Sequence, residues 1–321
     1  MEGLLLAVAA VIITYNSAEA ILFCLEALAR MAPGAKAIVV DNGSADGTVE
    51  RVREWGATHP GVEVIANREN LGFAAAANQG FREARNAEHI LLLNPDACLR
   101  TGLERLVEAS DQYGLAAGKL VDQEGRTQVG FTVRRLPTAS ALVLELLSVN
   151  RFWPGNPVNR RYRELDRDLD LPGHAEQPAG AFLLVRRDVW EKLSGMDERF
   201  YPVWFEDVDF CRRALDAGYK IQYEPAAVAE HEGGHSVGRL PSARRAWYWY
   251  LSLLKYAEKY MHPWAFRGIC AAAVLGSVPR MAVGMAADRS LVPLVTYLRI
   301  MRFAGACLLK GKTGDFPGKS A

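Results

Sequence analysis

The stretch His89-Ile90-Leu91-Leu92-Leu93-Asn94-Pro95-Asp96 constrains the fold of this 321-residue chain more than any other. An apolar run without polar alternation, sharply bounded, reads as a strand buried on both faces, as in a parallel sheet. Pro95 has no N–H to give to a ladder, so the strand stops there. Asp96 then lies just past the carboxyl end of a central strand, where open α/β sheets hold their ligands.

The flanking pattern agrees. Residues 7–14, 36–40 and 62–66 read as three earlier strands, with 90–93 as the fourth. Helices are expected over 18–31, from a cap at Ser44 or Asp46 to residue 57, over 71–85 and over 101–113. Strands alternating with helices of this length predict a parallel, doubly wound α/β sheet. Mixed pairing should come after them, because 115–121 and 127–133 read as strands around the Gln123-Glu124-Gly125 turn. Residues 134–176 carry no regular pattern and are expected to be a variable insertion. A strand at 179–185, a helix at 187–193, an aromatic and acidic run at 200–210 and a short strand at 221–223 ahead of Pro225 come next. Helical periodicity resumes at 243.

Composition narrows the class. With 50% hydrophobic and 23% charged residues, the chain is globular rather than disordered. Its five cysteines are scattered and form no Cys-x-x-Cys pair, which disfavours a disulfide framework or zinc cluster and suits a reducing compartment. No basic region precedes the apolar opening, so that opening reads as the first strand and not as a signal peptide. From Arg239 onward thirteen Lys/Arg face three Asp/Glu, a net +10, whereas the whole chain carries +1, leaving −9 for residues 1–238. The boundary is therefore placed at 238, with an acidic globular domain over 1–238 (halves 1–121 and 122–238) and a basic, apolar helical tail over 239–321. The longest charge-free run in the tail, 268–278, is too short to span a bilayer, and Pro279-Arg280 should break the helix beyond it. In-plane helices on an anionic membrane surface are expected, with packing of the tail on the domain as the alternative. That places the protein in the cytoplasm, peripheral at the inner face of the cell membrane, with no nucleic-acid partner.

Several site classes are excluded by absence. A Gly-x-Gly-x-x-Gly turn, a Walker loop and a Gly-x-Ser-x-Gly elbow are all missing. Polar residues instead gather at successive strand ends: Thr14, Tyr15 and Asn16, then Asp41, then Asn67 and Arg68, then Asp96. Each alone is an ordinary turn or cap residue, but a parallel sheet brings all of them to one edge. The small residues Ala74–Ala77 should let their helix pack closely, with Asn78 turned toward the same edge. A second acidic cluster, Glu206-Asp207-Val208-Asp209, reads as a helix cap with Asp209 paired to Arg212 or Arg213, or as the source of a carboxylate that deprotonates a substrate hydroxyl. His231 beside Asp96 would make a second metal ligand.

Taken together, Val11-Ile12-Ile13-Thr14-Tyr15-Asn16-Ser17, Val39-Val40-Asp41-Asn42-Gly43-Ser44, Asn67-Arg68-Glu69-Asn70-Leu71-Gly72-Phe73, Asn78-Gln79-Gly80 and Leu92-Leu93-Asn94-Pro95-Asp96 form a recognisable series. It continues with the Gly180-Ala181-Phe182 strand, Gly195-Met196-Asp197-Glu198-Arg199-Phe200, Glu206-Asp207-Val208-Asp209 and His231 through Ser236. The chain resembles the family 2 inverting glycosyltransferases of the GT-A fold, and among them the bacterial rhamnosyltransferase-like members that build cell-surface polysaccharide. The resemblance implies a Rossmann-like, mostly parallel mixed sheet flanked by helices. It also implies a nucleotide-sugar donor (dTDP-, UDP- or GDP-linked, with rhamnose as one candidate sugar) and a saccharide or lipid-linked saccharide acceptor.

Residue by residue, the resemblance implies that Thr14, Tyr15, Asn16 and Asp41 bind the base, a carboxylate there accepting a pyrimidine N3–H. Asn67, Arg68 and Asn78 fall on the nucleotide side. The family's Asp-x-Asp metal motif falls on Asn94-Pro95-Asp96, with Asn94 in place of the first acid. Asp96 would be the main ligand of a Mg²⁺ or Mn²⁺ ion and His231 a further one. Asp207 falls on the catalytic base with Glu206 beside it, and Gly180 and Ala181 would line the donor sugar and acceptor. Asn94 also motivates a rival, a non-catalytic nucleotide-sugar-binding scaffold of a polysaccharide assembly. A sugar-1-phosphate nucleotidyltransferase would want a Gly-rich, Lys/Arg-bearing loop after the first strand, which is absent.

Overall fold

The structure is a computed structural model that describes residues 8–233, 238 and 240–314. The opening residues expected in the first strand, and the His235-Ser236 end of the last motif, lie outside the described residues. The chain divides into two compact units, 1–135 with 167–198 and 206–239, and 136–166 with 199–205 and 240–321.

The first unit is built on a sheet. Its strands β1 (Val8–Thr14), β2 (Lys36–Asp41), β3 (Val62–Ala66) and β4 (His89–Leu93) alternate with helices α1 (Ile21–Met31), α2 (Thr48–Thr58) and α3 (Phe73–Glu83). Then come β5 (Ala97–Leu99), α4 (Glu104–Tyr113), β6 (Gly114–Val121) and the short β7 (Val133–Arg134). The order across the main sheet is β3-β2-β1-β4, all parallel, followed by a strand at Phe182–Arg186 that runs antiparallel to both β4 and β6. The sheet is thus mixed but mostly parallel, as read from the sequence.

The physical basis is plain in β1. Val8, Ala10 and Ile12 face one apolar layer while Ala9, Val11 and Ile13 face the other, the period-two alternation of a strand with no wet face. Each fully buried Val or Ile contributes about 1.5–3 kcal/mol relative to exposure. The Ala-rich helix α3 lies very close to this strand. A Cβ on Gly80 would stand 2.3 Å from Val11 Cγ1, so glycine is required there.

Four sequence expectations change, three of them in residues 127–231 and one in the tail. Of residues 127–133, expected as a strand, 128–132 form a turn and only Val133 enters a strand: Thr127 bridges back to Val121, and the Gln128 carbonyl accepts from the Phe131 and Thr132 amides (3.1 and 3.0 Å). The strand expected at 221–223 runs twelve residues, Lys220–His231, because Pro225 falls in an irregularity between Glu224 and Val228 where the ladder to β6 shifts register. Residues 134–176 contain regular structure. They include helices α5 (Ala139–Leu146), α6 (Val149–Phe152) and α7 (Pro157–Tyr162), then β8 (Gly173–Ala175), with β9 (Gln177–Pro178) just after. Two of the helices are capped by side chains: Thr138 accepts from the Ala141 amide (3.2 Å), and Asn156 accepts from the Asn159 amide (2.9 Å) ahead of Pro157.

The remaining elements are β10 (Phe182–Arg186), α8 (Arg187–Lys192), α9 (Glu206–Asp216), β11 (Lys220–His231) and the tail helices α10 (Ser242–Tyr260), α11 (Pro263–Asp288) and α12 (Val292–Lys310). The second unit holds α5–α7 and the tail helices. Pro279-Arg280 does not interrupt α11, contrary to expectation. Arg280 donates to the carbonyls of Glu145 and Leu146 and to the Tyr250 hydroxyl, so the C-terminal carbonyls of α5 and one phenol take up the charge that looked misplaced. Both α11 and α12 are consequently long and apolar enough to cross a membrane by length and composition.

Candidate active site

Parallel pairing sets Thr14 opposite Asp41. The Thr14 hydroxyl donates to Asp41 Oδ2 at 2.9 Å, and the amides of Gly43 and Ser44 donate to Oδ1 at 3.1 and 2.9 Å. The Ser44 hydroxyl also donates to Oδ2. The buried Asp41 carboxylate, expected to accept from a base, is therefore already the organiser of its own loop. Asn16, in the left-handed region at φ 52°, donates its amide to Ser44 Oγ (2.8 Å), and its side-chain oxygen accepts from the Ala45 amide (2.9 Å). Ser17 and Ala18 reach across to Thr48 and Asp46 in the same way. Tyr15 stays half-buried between these contacts. After β3, Asn67 exchanges amide bonds with Gln79 (2.8 and 3.1 Å) and donates to Asn42, while Arg68 is exposed.

Asn78 departs from its expectation. It is buried, donates to the Met196 carbonyl (3.0 Å) and Glu198 Oε1 (2.9 Å), and accepts from the Met196 amide (2.9 Å). Its amide ties α3 to the 195–198 turn and does not face an open site. The sequence showed a polar residue on a helix but not the partner, which lies more than a hundred residues away.

Strand β4 ends as predicted, and the fold brings the residues just past it to His231. Ala97 pairs with His231 across β5 and β11, which sets His231 Nε2 at 3.2 Å from Asn94 Nδ2 and 3.6 Å from Asp96 Oδ1. Burial holds the His231 imidazole below its ordinary pKa, opposed in part by Asp96 and Glu232, so the ring is neutral near pH 7. Asp96 Oδ2 is buried without a hydrogen-bond partner among the described residues. No group of three or more His, Cys, Asp or Glu that could hold a metal occurs among those residues. A carboxylate and a neutral imidazole side by side still fit a divalent ion that takes its other oxygens from a diphosphate and water.

The chemistry-bearing acids are reached through the two residues just ahead of β10. Asn94 N donates to the Ala181 carbonyl (3.0 Å), and one residue earlier Gly180 N donates to Asp207 Oδ2 (3.3 Å). A Cβ at Gly180 would meet Asp207 Cβ at 3.1 Å, so this approach also depends on glycine. Asp207 is half-buried in the first turn of α9, and its other oxygen accepts from the Val208 amide (2.8 Å). Burial pushes its carboxyl up from the usual range, tempered by these amides and by the Arg134 charge. Glu206 is 5% exposed, and its Oε2 has no partner among the described residues. Burial, and then the adjacent Asp207, drive its carboxyl well above the usual range, which favours the protonated form. Of the two acids, Asp207, with both oxygens held by backbone amides and a smaller upward shift, is the better placed to take a proton. Two consecutive left-handed residues, Trp204 (φ 76°) and Phe205 (φ 69°), precede them, the strain that functional sites store. Asp209 plays the structural part, paired with Arg213 at 2.7 Å. Sequence reading missed Arg134 and Gln128, because neither carries a signal until the chain folds.

Comparison with known proteins bears on this geometry. The family model described as Glycosyl transferase family 2 matches residues 9–193. The N-acetylglucosaminyl-diphospho-decaprenol L-rhamnosyltransferase of Mycobacterium tuberculosis is 28% identical over 245 residues, covering 71% of this chain and 76% of that protein. Glycosyltransferase AglE of Haloferax volcanii is 37% identical over 227 residues, 70% of this chain and 66% of its own length. Among solved structures, the mannosyltransferase PcManGT from Pyrobaculum calidifontis, in complex with GDP-Man and Mn²⁺, has a TM-score of 0.51 at 20% identity, covering 94% of this chain and 87% of that one. GalNAc-T7 with UDP, GalNAc and Mn²⁺ reaches a TM-score of 0.55 at 14% identity over 79% of this chain, which spans half of GalNAc-T7's length (50%).

Proposed function

Because the chain belongs to glycosyl transferase family 2 and is a rhamnosyltransferase-like glycosyltransferase of the GT-A fold, we propose that it moves a sugar from a nucleotide-sugar donor to a hydroxyl of a lipid-linked saccharide, with inversion. The observation that carries this reading is the pair of acids joined by the Gly180-Ala181 step just ahead of β10: Asp96, with one buried oxygen lacking a partner among the described residues, beside neutral His231, and Asp207 on the Gly180 amide. Asp207 takes the proton of the acceptor hydroxyl as its oxygen attacks the anomeric carbon. The bond from that carbon to the diphosphate breaks, and the nucleoside diphosphate leaves with the electron pair. Its raised pKa makes Asp207 a stronger base than an exposed aspartate. Gly180 N–H holds the carboxylate in place, and the small Gly180-Ala181 step leaves room for sugar. Asp96 and His231 would hold a Mg²⁺ or Mn²⁺ ion, which supplies positive charge to the departing diphosphate. The loops at 14–18 and 41–48 cradle the nucleotide, with a dTDP-, UDP- or GDP-linked donor.

The acceptor class rests on likeness to the decaprenol-linked rhamnosyltransferase. A membrane surface fits the second unit, where Leu275, Val278, Val283, Leu291, Val292 and Val295 are exposed on α11, α12 and the turn between them. Seven Lys/Arg against one acid over residues 263–314 favour an anionic bilayer at the cytoplasmic face. Flotation with phosphatidylglycerol vesicles should recover the protein, and a Leu291→Glu/Val295→Glu variant should stay behind. Equal recovery of the two would sink the membrane reading.

A thermal-shift panel of UDP, dTDP, GDP and CDP, with and without Mn²⁺, tests the donor site. One base should stabilise the protein, and more so with Mn²⁺. A flat response to all four overturns the reading.

A further inference from the structure

Gln128 lies in the turn between β6 and β7, where the sequence pattern predicts a strand. The turn is braced: Gln128 N donates to the Leu120 carbonyl (2.9 Å), and its carbonyl accepts from the Phe131 and Thr132 amides. Its side chain reaches β11 and meets His231 twice. Nε2 lies 2.6 Å from the His231 carbonyl oxygen, and Oε1 lies 3.3 Å from His231 Nδ1.

The proton inventory of these contacts is fixed by chemistry. A backbone carbonyl only accepts, so the end of the Gln128 amide facing it is the NH₂ end. The oxygen end then faces Nδ1, and an amide oxygen also only accepts, so Nδ1 carries the proton. A neutral imidazole has one N–H, which leaves the lone pair on Nε2. The contact on that side agrees, because Asn94 Nδ2, a donor, stands 3.2 Å from Nε2. Phe131, three residues after Gln128, stacks on one face of the ring at 5.4 Å between centroids and 11° between planes, so the turn that carries Gln128 also packs against the imidazole. Nε2 thus faces Asp96, whose Oδ2 is buried and lacks a partner among the described residues.

We propose that Gln128 is a positioning residue that locks His231 in its Nδ1–H tautomer, so that Nε2 and Asp96 form a ready two-residue ligand for a divalent cation. Asn94 is the placeholder on Nε2 and releases it when the cation enters. An asparagine at the position of the motif's first acid then has a physical use: its N–H₂ can donate to the imidazole nitrogen, which a carboxylate cannot. The proposal rests on the cation reading given under the proposed function. The orientation of metal-ligating histidines by a partner on the other nitrogen is a general device.

The test begins with the wild-type protein free of metal. Imidazole ¹⁵N NMR, with His231→Gln used to assign the resonance among the six histidines, should show a protonated Nδ1 and an unprotonated Nε2. A protonated Nε2 near neutral pH overturns the proposal. In Gln128→Leu the tautomer should become mixed and the Mn²⁺ dissociation constant, read by electron paramagnetic resonance of free Mn²⁺, should rise about 10–100-fold. Gln128→Glu, which still accepts from Nδ1–H, should keep the tautomer and bind Mn²⁺ at least as well. If Gln128→Leu leaves both readouts unchanged, Gln128 is not the lock. A wild-type protein with the expected tautomer but no Mn²⁺ binding overturns the cation reading and the purpose assigned to the lock, while Asp96→Ala should lose Mn²⁺ and keep the tautomer.

Discussion

The two ends of the sheet edge are built on opposite principles. Around Asp41 four donors converge on one carboxylate, and residues 14–18 are stitched to 41–48 by hydrogen bonds that leave little unmet. At Asp96 and Glu206 a buried carboxyl oxygen lacks a partner among the described residues, and burial raises the carboxyl pKa of Glu206 and Asp207. A buried polar group without a partner costs about 1–3 kcal/mol, so the second region is held in an unfavourable state by the fold around it. A cradle that must present a fixed shape is best fully bonded. Groups that must capture charge or a proton have to be left with capacity to do so.

If this contrast is correct, the largest effect belongs to the proton acceptor. Asp207→Asn should lower glycosyl transfer by about 10²–10⁴-fold while nucleoside diphosphate still raises the melting temperature. Wild-type transfer should also fall as pH drops through the Asp207 pKa, because the base works deprotonated. Since burial raises that pKa, the fall should begin at a higher pH than for an aspartate near 4. An unchanged rate in Asp207→Asn would remove Asp207 from the chemistry.

Next in size, Asp96→Ala should abolish the extra stabilisation that Mn²⁺ gives to a bound nucleoside diphosphate, without lowering the melting temperature of the free protein. A large fall in the free protein would mean that Asp96 belongs to the satisfied region. Asp41→Ala should behave the other way round. It strands the Thr14 hydroxyl and the Gly43 and Ser44 amides, so denaturant unfolding should show a loss of about 1–3 kcal/mol together with weaker nucleotide binding.

The smallest effect is expected at Glu206. Its folded-state pKa is raised, so the stability it contributes is complete below the unfolded value of about 4.3 and is lost as pH rises through the folded value. Glu206→Gln stays neutral at every pH. It should therefore lose less stability than wild type between pH 5 and pH 8, measured by urea unfolding, and it should keep most transfer activity. A steeper loss in the variant would show that Glu206 is ionised in the folded protein.

Much of the sheet edge was legible because the signals were local. An apolar run with sharp ends, Pro95 and strand–helix alternation need no tertiary information, and they located Thr14, Asp41 and Asp96 correctly at strand ends. The elements at 136–166 were read as irregular. Thr138 and Asn156-Pro157 turn out to start helices, but the segment lacks the long periodic stripe that makes a helix obvious. The strand through Pro225 was hidden for a different reason. Proline argues against a ladder unless a register shift accommodates it, and a shift is a property of the pair of strands.

The sequence by itself determined the class of fold, the parallel pairing of the first four strands and the residue types available at their ends, since hydrophobic period and chain-breaking residues act over a few positions. Tertiary structure alone decided which of those residues are spent on structure and which keep capacity for chemistry. Asn78 and Asp41 found partners, Asp96 met His231 across 135 positions of chain, and Gln128 acquired a tautomer to control. Hydrogen-bond satisfaction and desolvation depend on what surrounds a group in space, and the order of residues along the chain does not encode that directly.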